Sequence, residues 1–443
     1  MAYRSIRLRQ VCLINKYCFQ HFRSVVSALH INGGKPNTVS ILTPSLTHID
    51  TLIRNRPKLV YMLEARQMQF DIDSFIYVWD EMNSLRIQRE DLENKRTQVN
   101  DLVKVIVKSR KNKDEETQLN FEHLREEGKQ LRKQLKQLTP KWWAIEEEAV
   151  TKALSLPNYI HSKTPSESQL VESHKIIPQN IEENNHLLCE NIKFNSPTNY
   201  FLKGSLALME LDLIRSFSQD FMEHGFKQMT GSDFVKSIIV DGCGVEFNNP
   251  KSTLALDGSS DYGDLESGNG LHLVGGGSLA SIVAFLTKNV IQDPFPLRLM
   301  SIGRQYQPDE GSLGLFSASQ SSAIQLLTAM DNEPDGLYEE CQRIRTVISH
   351  RLKELNVHFR IVDVSPRHLQ RWEQFRSSVQ LYSPSLKDYV QVASVSIVGD
   401  FISRRLAIYG PKTGNFPGFV TSTALCVPKL LASYLENQPE TRT

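Results

Sequence analysis

Between Phe75 and Val150 the chain is polar overall, yet its apolar residues return every seven positions. Val78, Leu85, Leu92, Val99 and Ile106 hold one heptad position, with Met82, Arg89, Arg96 and Val103 at its partner position. A second run, Leu124, Leu131, Leu138 and Ile145, interleaves with Gly128, Leu135, Trp142 and Ala149. A repeat of this period keeps one stripe of a helix against a neighbour, so the pattern predicts two long helices packed as an antiparallel pair. Ser109 to Glu116 has no periodic apolar residue and reads as the tip between them. Two helices of about 35 residues at about 1.5 Å rise reach roughly 50 Å from a body. Arg89 and Arg96 sit on the seam, where charged side chains pack weakly and predict a loosened contact.

The pattern divides the chain. Residues 36–155 form the helical hairpin, the proline- and serine-bearing stretch 156–195 is a linker, and 196–443 is a mixed domain of helix and strand. Residues 1–35 stand apart: Arg4, Arg7, Arg9, Lys16, Arg23 and Lys35 fall among serines, and the first acidic residue is Asp50. That composition is a mitochondrial transit peptide's, because a secretory signal needs a continuous apolar core that the basic and amide residues here interrupt. Cleavage is expected near residues 25 to 40, leaving a folded protein in the matrix.

Composition narrows the chemistry. Of 443 residues, 40% are hydrophobic and 23% charged, the balance of a soluble globular chain. With 51 Lys and Arg against 50 Asp and Glu, the net charge of +1 exerts no global pull on nucleic acid. Any RNA affinity therefore belongs to a local patch. Lys104, Lys108, Arg110, Lys111 and Lys113 gather toward the tip, and Arg125, Lys129, Arg132, Lys133 and Lys136 follow on the second helix. They meet phosphates, or they are the solvated face of a coiled coil salted by Glu93, Asp101, Asp114, Glu115, Glu122, Glu126 and Glu127; the pattern leaves both open. The six cysteines form no CxxC pair and the histidines no HExxH, so no metal site is expected. Gly275-Gly276-Gly277-Ser278 reads as a tight turn, since no Gly-Lys-Ser/Thr follows it. No membrane-spanning run is present in the sequence after the amino-terminal region.

The order of segments resembles the seryl-tRNA synthetase family, over roughly Phe75 to Asn437. Leu156-Pro157-Asn158, Tyr200-Phe201-Leu202-Lys203-Gly204 and Glu223-His224-Gly225-Phe226 are similar to the family's linker, the start of its catalytic body and its first class II motif. Ser301 to Leu327 has the length of motif 2, and Thr421 to Asn437 resembles motif 3. The resemblance implies an α+β fold: an antiparallel coiled-coil arm plus a class II aminoacyl-tRNA synthetase-like domain, with a mostly antiparallel sheet of six to eight strands flanked by helices.

What the resemblance implies about chemistry is negative. Ser278 stands at the serine-recognition glutamate, and Gly303 and Gln305 at the arginine and glutamate that hold the α-phosphate and adenine. Gln325 and Gln391 replace carboxylates, the latter the metal-binding one, Ile397 an asparagine near the substrate, and Lys429 the motif 3 arginine. Arg304 is one residue out of place, and sliding the register to use it puts Tyr306 at the acid's position. Asp400, Phe401, Arg404 and Arg405 match retained residues and are expected as packing and surface elements. A guanidinium fork and Mg²⁺-holding carboxylates are what carry triphosphate charge, and neither lysine nor glutamine replaces them. The match in kind is to a catalytically degenerate branch, the insect mitochondrial seryl-tRNA-synthetase-like proteins. The expectation is therefore a pseudoenzyme without catalytic residues, cofactor or metal. It is expected to pair with the mitochondrial seryl-tRNA synthetase or with itself and to associate with tRNA or another mitochondrial RNA. A scaffold for other matrix proteins without RNA, and a repurposed adenylating enzyme, are the rivals.

Overall fold

The computed structural model describes residues 27–30, 44–109, 115–175, 189–196, 199–256, 269–308, 314–411 and 414–437, with the side chains of 108–119 also outside the description. Two short helices, α1 (His48–Arg54) and α2 (Arg56–Ala65), precede the arm, and sequence periodicity does not separate them from it. The arm is α3 (Ile72–Ser109) packed on α4 (Glu115–Ser155). Every heptad residue named above is buried or half-buried, so the seven-residue repeat is the seam. The expected loosening at Arg89 does not occur. Its guanidinium lies 3.9 Å from the Trp142 ring centroid and its Nε 3.7 Å from Glu93, so the charge is stacked and paired rather than buried bare. The tip falls largely outside the described residues.

The body is built on β1 (Gln169–His174), β4 (Lys227–Met229), β8 (Leu297–Tyr306), β9 (Gln320–Met330), β10 (Phe359–Asp363), β11 (Phe375–Ser383), β12 (Asp388–Gly399) and β13 (Gly418–Cys426). These form one eight-stranded sheet in the order β1-β10-β11-β12-β13-β9-β8-β4, antiparallel except for β4 against β8. The hairpin β2 (Ile192–Phe194) and β3 (Tyr200–Leu202) leads into α5 (Gly204–Glu223). A small sheet of β5 (Phe234–Lys236), β6 (Leu254–Ala255) and β7 (Leu271–Leu273) carries α6 (Ser237–Gly242) and α7 (Leu279–Leu286).

Alternation along the strands gives the large sheet two faces. One packs Met300, Ile324, Leu326, Val379 and Val395 against α5, α8 (Pro334–Glu354) and α10 (Val427–Asn437). Half of the other packs Leu297, Leu299, Leu327 and Phe419 against α6, α7, α9 (Phe401–Arg405) and the base of the arm. The remainder of that second face is polar.

The stretch expected as a linker does more than connect. Residues 169–174 are β1, which pairs with β10 and closes one sheet edge. Just before it, Asn158 donates to the carbonyls of Trp372 at 2.8 Å and Val398 at 2.6 Å. Buried Arg66, at the end of α2, donates to the carbonyls of Gln370, Asn158 and Glu373 at 3.0, 3.2 and 2.5 Å. One guanidinium thus ties the arm base, the connection and the body, a geometry that a lysine cannot reproduce.

The boundary at residue 35 also moves. Leu29 is 1% exposed, and the Ser27 hydroxyl and Ala28 amide donate to Asp241 of α6 at 2.7 and 2.8 Å. Ser27–His30 belongs to the body, because its apolar side chain and its donors are met by α6, more than 200 residues away. A chain lacking residues 1–26 is expected to keep full stability. Loss of residues 1–30 exposes Leu29's site and strips donors from Asp241, costing about 3–5 kcal/mol. Denaturant unfolding of the two truncations checks this; equal midpoints would return Ser27–His30 to a dispensable leader.

Candidate functional site

The polar half of the second face is crossed by the turn after β7. Val274 and Gly275 donate their amides to the Asp233 carbonyl, and the Gly276 amide donates to Asp233 Oδ1 at 2.7 Å. From there the turn lies along the free edge of β8 beyond β4: Tyr306 N donates to Val274 O at 3.2 Å and Gly277 N to Arg304 O at 3.0 Å. Ser301 Oγ donates to Gly276 O at 2.6 Å, and Gln305 Nε2 to Gly277 O at 2.6 Å. The glycines are required by contact. A Cβ on Gly303 would stand 2.8 Å from Gly277 N, one on Gly277 2.6 Å from Gly303 O, and one on Gly275, at φ +86°, 2.0 Å from Arg304 O. The expected tight turn is present, and its backbone fills the space over Gly303.

The degenerate positions have structural duties here. Ser278 is the N-cap of α7, its Oγ accepting from Ser281 N at 3.3 Å. Gln325 Oε1 accepts from Gln305 Nε2 at 3.3 Å and from Thr423 Oγ1 at 3.0 Å. Gln391 Oε1 accepts from Ser378 Oγ at 2.8 Å. Lys429 lies half-buried in the first turn of α10, beside Cys426, whose thiol burial pushes up and Lys429 partly brings back. Arg304 points to the opposite face from Gly303 and Gln305, where it pairs with Glu210 of α5 at 3.4 Å. Strand alternation therefore removes it from this site in either register.

Ile397 requires a correction. It is fully buried in the helix-side core and does not face the site. A β-bulge in β12, where Ala393 pairs with Val379 and Gln391 with Gln380, turns Val392 and Ala393 to that same core. Gln391 and Ser394 consequently share the polar side while Ile397, three residues on, falls opposite.

What stays open on the polar face is a cavity of about 600 Å³ whose lining includes Gln307, Trp372, Gln391 and Ser394, two acids, Glu246 and Glu373, and two bases, Arg371 and Arg376. The bases are committed. Arg376 pairs with Glu373 at 3.3 Å and donates to His368 O at 2.5 Å, while Arg371 approaches Asp241 at 4.0 Å. Sequence reasoning missed Glu373, a 4%-exposed carboxylate that accepts from Ser396 Oγ, Gln370 N and Arg376. Only the tertiary structure brings these donors together. The cavity is thus balanced in charge, unlike a triphosphate site. Among the described residues no group of His, Cys, Asp or Glu is placed to hold a metal, and no helix is long and apolar enough to cross a membrane.

The arm offers a second surface. Lys104 pairs with Asp101 at 2.8 Å and Lys129 with Glu126 at 2.9 Å, both on their own helices, as a salted surface does. The side chains of Lys108, Arg110, Lys111 and Lys113 lie outside the described residues. On α4, however, Arg125, Lys129, Arg132 and Lys136 recur at helical spacing along one exposed face, with Lys133 beside them. From Gly128 to Ile145 the sequence holds no acidic residue. On the body, Phe201, Leu208 and Leu211, around the start of α5, are 55%, 64% and 63% exposed.

Comparison with known proteins bears on the arm and the overall fold. The seryl-tRNA synthetase N-terminal domain matches residues 49–160. The chain is similar to the serine–tRNA synthetase-like protein Slimp of Drosophila melanogaster, 26% identical over 93% of this chain and 89% of that protein. It is also similar to the mitochondrial serine–tRNA ligase of Bos taurus, 25% identical over 83% of this chain and 74% of the ligase. In fold it matches the seryl-tRNA synthetase of Pyrococcus horikoshii complexed with ATP, with a TM-score of 0.71 at 16% identity, covering 88% of this chain and 94% of that one.

Because the block at Gly303 is backbone, Gly303→Ala is expected to destabilise the fold by about 1–3 kcal/mol, measured by urea unfolding. A neutral outcome would mean that the turn stands off β8 and that the face is open.

Proposed function

We propose that the chain is a non-catalytic member of the seryl-tRNA synthetase family, an RNA-associated mitochondrial subunit that neither activates serine nor charges tRNA. The observation that carries this is the Gly275–Gly277 turn against Gly303. At the position that resemblance gives to the phosphate-binding arginine there is no side chain and no room for one. Removing one preorganised electrostatic contact costs about 10²–10³ in rate. Here Ser278, Gly303, Gln305, Gln325, Gln391 and Lys429 all depart from the family pattern, and the remaining bases of the cavity are neutralised by Glu373 and Asp241. Serine-dependent exchange of pyrophosphate into ATP is expected to stay at background; activity within about a hundredfold of an ordinary synthetase contradicts the reading.

The RNA association rests on α4. A stripe of four bases at helical spacing, three of them in an acid-free stretch of the arm, presents charge to a polyanion without aromatic platforms, so it would read phosphates rather than bases. The basic, acid-free first residues and the mitochondrial ligases among its relatives support the mitochondrial, matrix assignment. Phe201, Leu208 and Leu211, each exposed near the start of α5, offer apolar side chains that suit association. Since a paralogue inherits a self-like interface, the partner is a second copy or the mitochondrial seryl-tRNA synthetase. A scaffold without RNA is the second reading, favoured by Leu102 and Val105, 53% and 63% exposed on the arm.

The two readings separate on Arg132→Glu, Lys133→Glu and Lys136→Glu combined. RNA affinity should fall for all tRNAs alike, with the salt slope reduced by roughly 0.7–0.9 for each phosphate no longer neutralised. Unchanged binding at two salt concentrations would put the scaffold first.

A further inference from the structure

Where the arm meets the body, a cavity of about 20 Å³ is lined by His48 of α1, Leu154 and Tyr159 near the end of α4, and Phe401, Arg404 and Arg405 of α9. Both arginines are 6% exposed. The sequence expects packing and surface elements here, and both arginines are packed, buried at the joint rather than on the surface. Arg405 Nη2 donates to Leu154 O at 2.6 Å and its guanidinium lies 4.0 Å over the Phe401 ring; Arg404 Nε donates to Asp400 O at 3.2 Å and lies 3.1 Å from its Oδ2. That leaves Nη1 of each arginine and Nδ1 of His48, all buried, with no hydrogen-bond partner. Three unmet nitrogens border one cavity.

Charge is unmet as well. Asp400 pairs with Arg404, but no carboxylate among the described residues forms an ion pair with Arg405. Asp241 acts on Arg405 only from a distance: it stands 4.0 Å from Arg371 and already accepts from Ser27 and Ala28. Glu246 acts on Arg371, on the far side of this group. His48 adds nothing to the positive side, because burial and the two guanidiniums push its pKa down to about 2. The cavity wall thus carries one positive charge without a direct partner. A buried cation in that position is costly, and a water would satisfy hydrogen bonds but not charge. A cavity of about 20 Å³ beside the two guanidiniums has room for a monatomic ion.

We propose that this cavity is a binding site for one small monovalent anion of the halide class, held by Arg404, Arg405 and His48. Bound there, the ion joins α1, the end of α4 and α9, and so fixes the base of the arm on the body. The site is independent of the RNA-binding and non-catalytic readings.

The probes are chloride and bromide on the full chain. Crystals grown in bromide are expected to show an anomalous peak between the two guanidiniums. Melting in chloride should exceed melting in gluconate at equal ionic strength by a few degrees, since a ligand that binds only the folded state stabilises it. Arg404→Gln, which can still donate to Asp400, should abolish the chloride-specific difference. Absence of an anomalous peak, or equal melting in the two salts for the unmodified chain, overturns the proposal. The bromide result decides even if the variant does not fold.

Discussion

A backbone-to-backbone contact governs the polar face of this protein: Gly277 lies against Gly303 so closely that neither position admits a methyl group. Once the turn is seated on the edge of β8, its carbonyls must be satisfied, and Ser301 and Gln305 do so. Gln305 in turn orients Gln325, which accepts from Thr423 across the sheet. Residues that resemblance places at catalytic positions thus form a neutral hydrogen-bonded layer supporting a closed loop. Reinstating an arginine at Gly303 alone would not reopen it, because the space is taken by main chain.

The arm is held to this body by buried arginines rather than by apolar contact alone. Arg66 grips carbonyls from the connection and the body, and Arg405 does the same for the last turn of α4. Buried guanidiniums with carbonyl partners define direction as well as attachment, since the planar fork accepts few geometries. The arm thus leaves the body from a fixed base, with the basic stripe of α4 on its exposed face.

Much of this is legible in the chain. The heptads define the arm because every apolar residue of the repeat has one place to go, and the motif 2 segment folds as the β8–β9 hairpin that its length implies. Arg304 is legible as misplaced, since alternate strand residues face apart. Ile397 is not, because a bulge at Val392–Ala393 resets the parity of β12 and no local signal announces it. Ser27–His30 is hidden for a related reason: its burial depends on Asp241, a tertiary partner that the basic composition around it does not betray. Arg404 and Arg405 are legible as packing or surface elements, and only the docked arm decides that they are packed.

Amide hydrogen exchange at Gly277 and Tyr306, read in the presence and absence of ATP, Mg²⁺ and serine, tests the closed face most directly. The seated turn predicts strong protection of both amides, near that of the sheet core and unchanged by the substrates. Rapid exchange without ligand, or protection that shifts when ATP and serine are added, would show a turn that lifts away from β8 and a site that still receives a nucleotide.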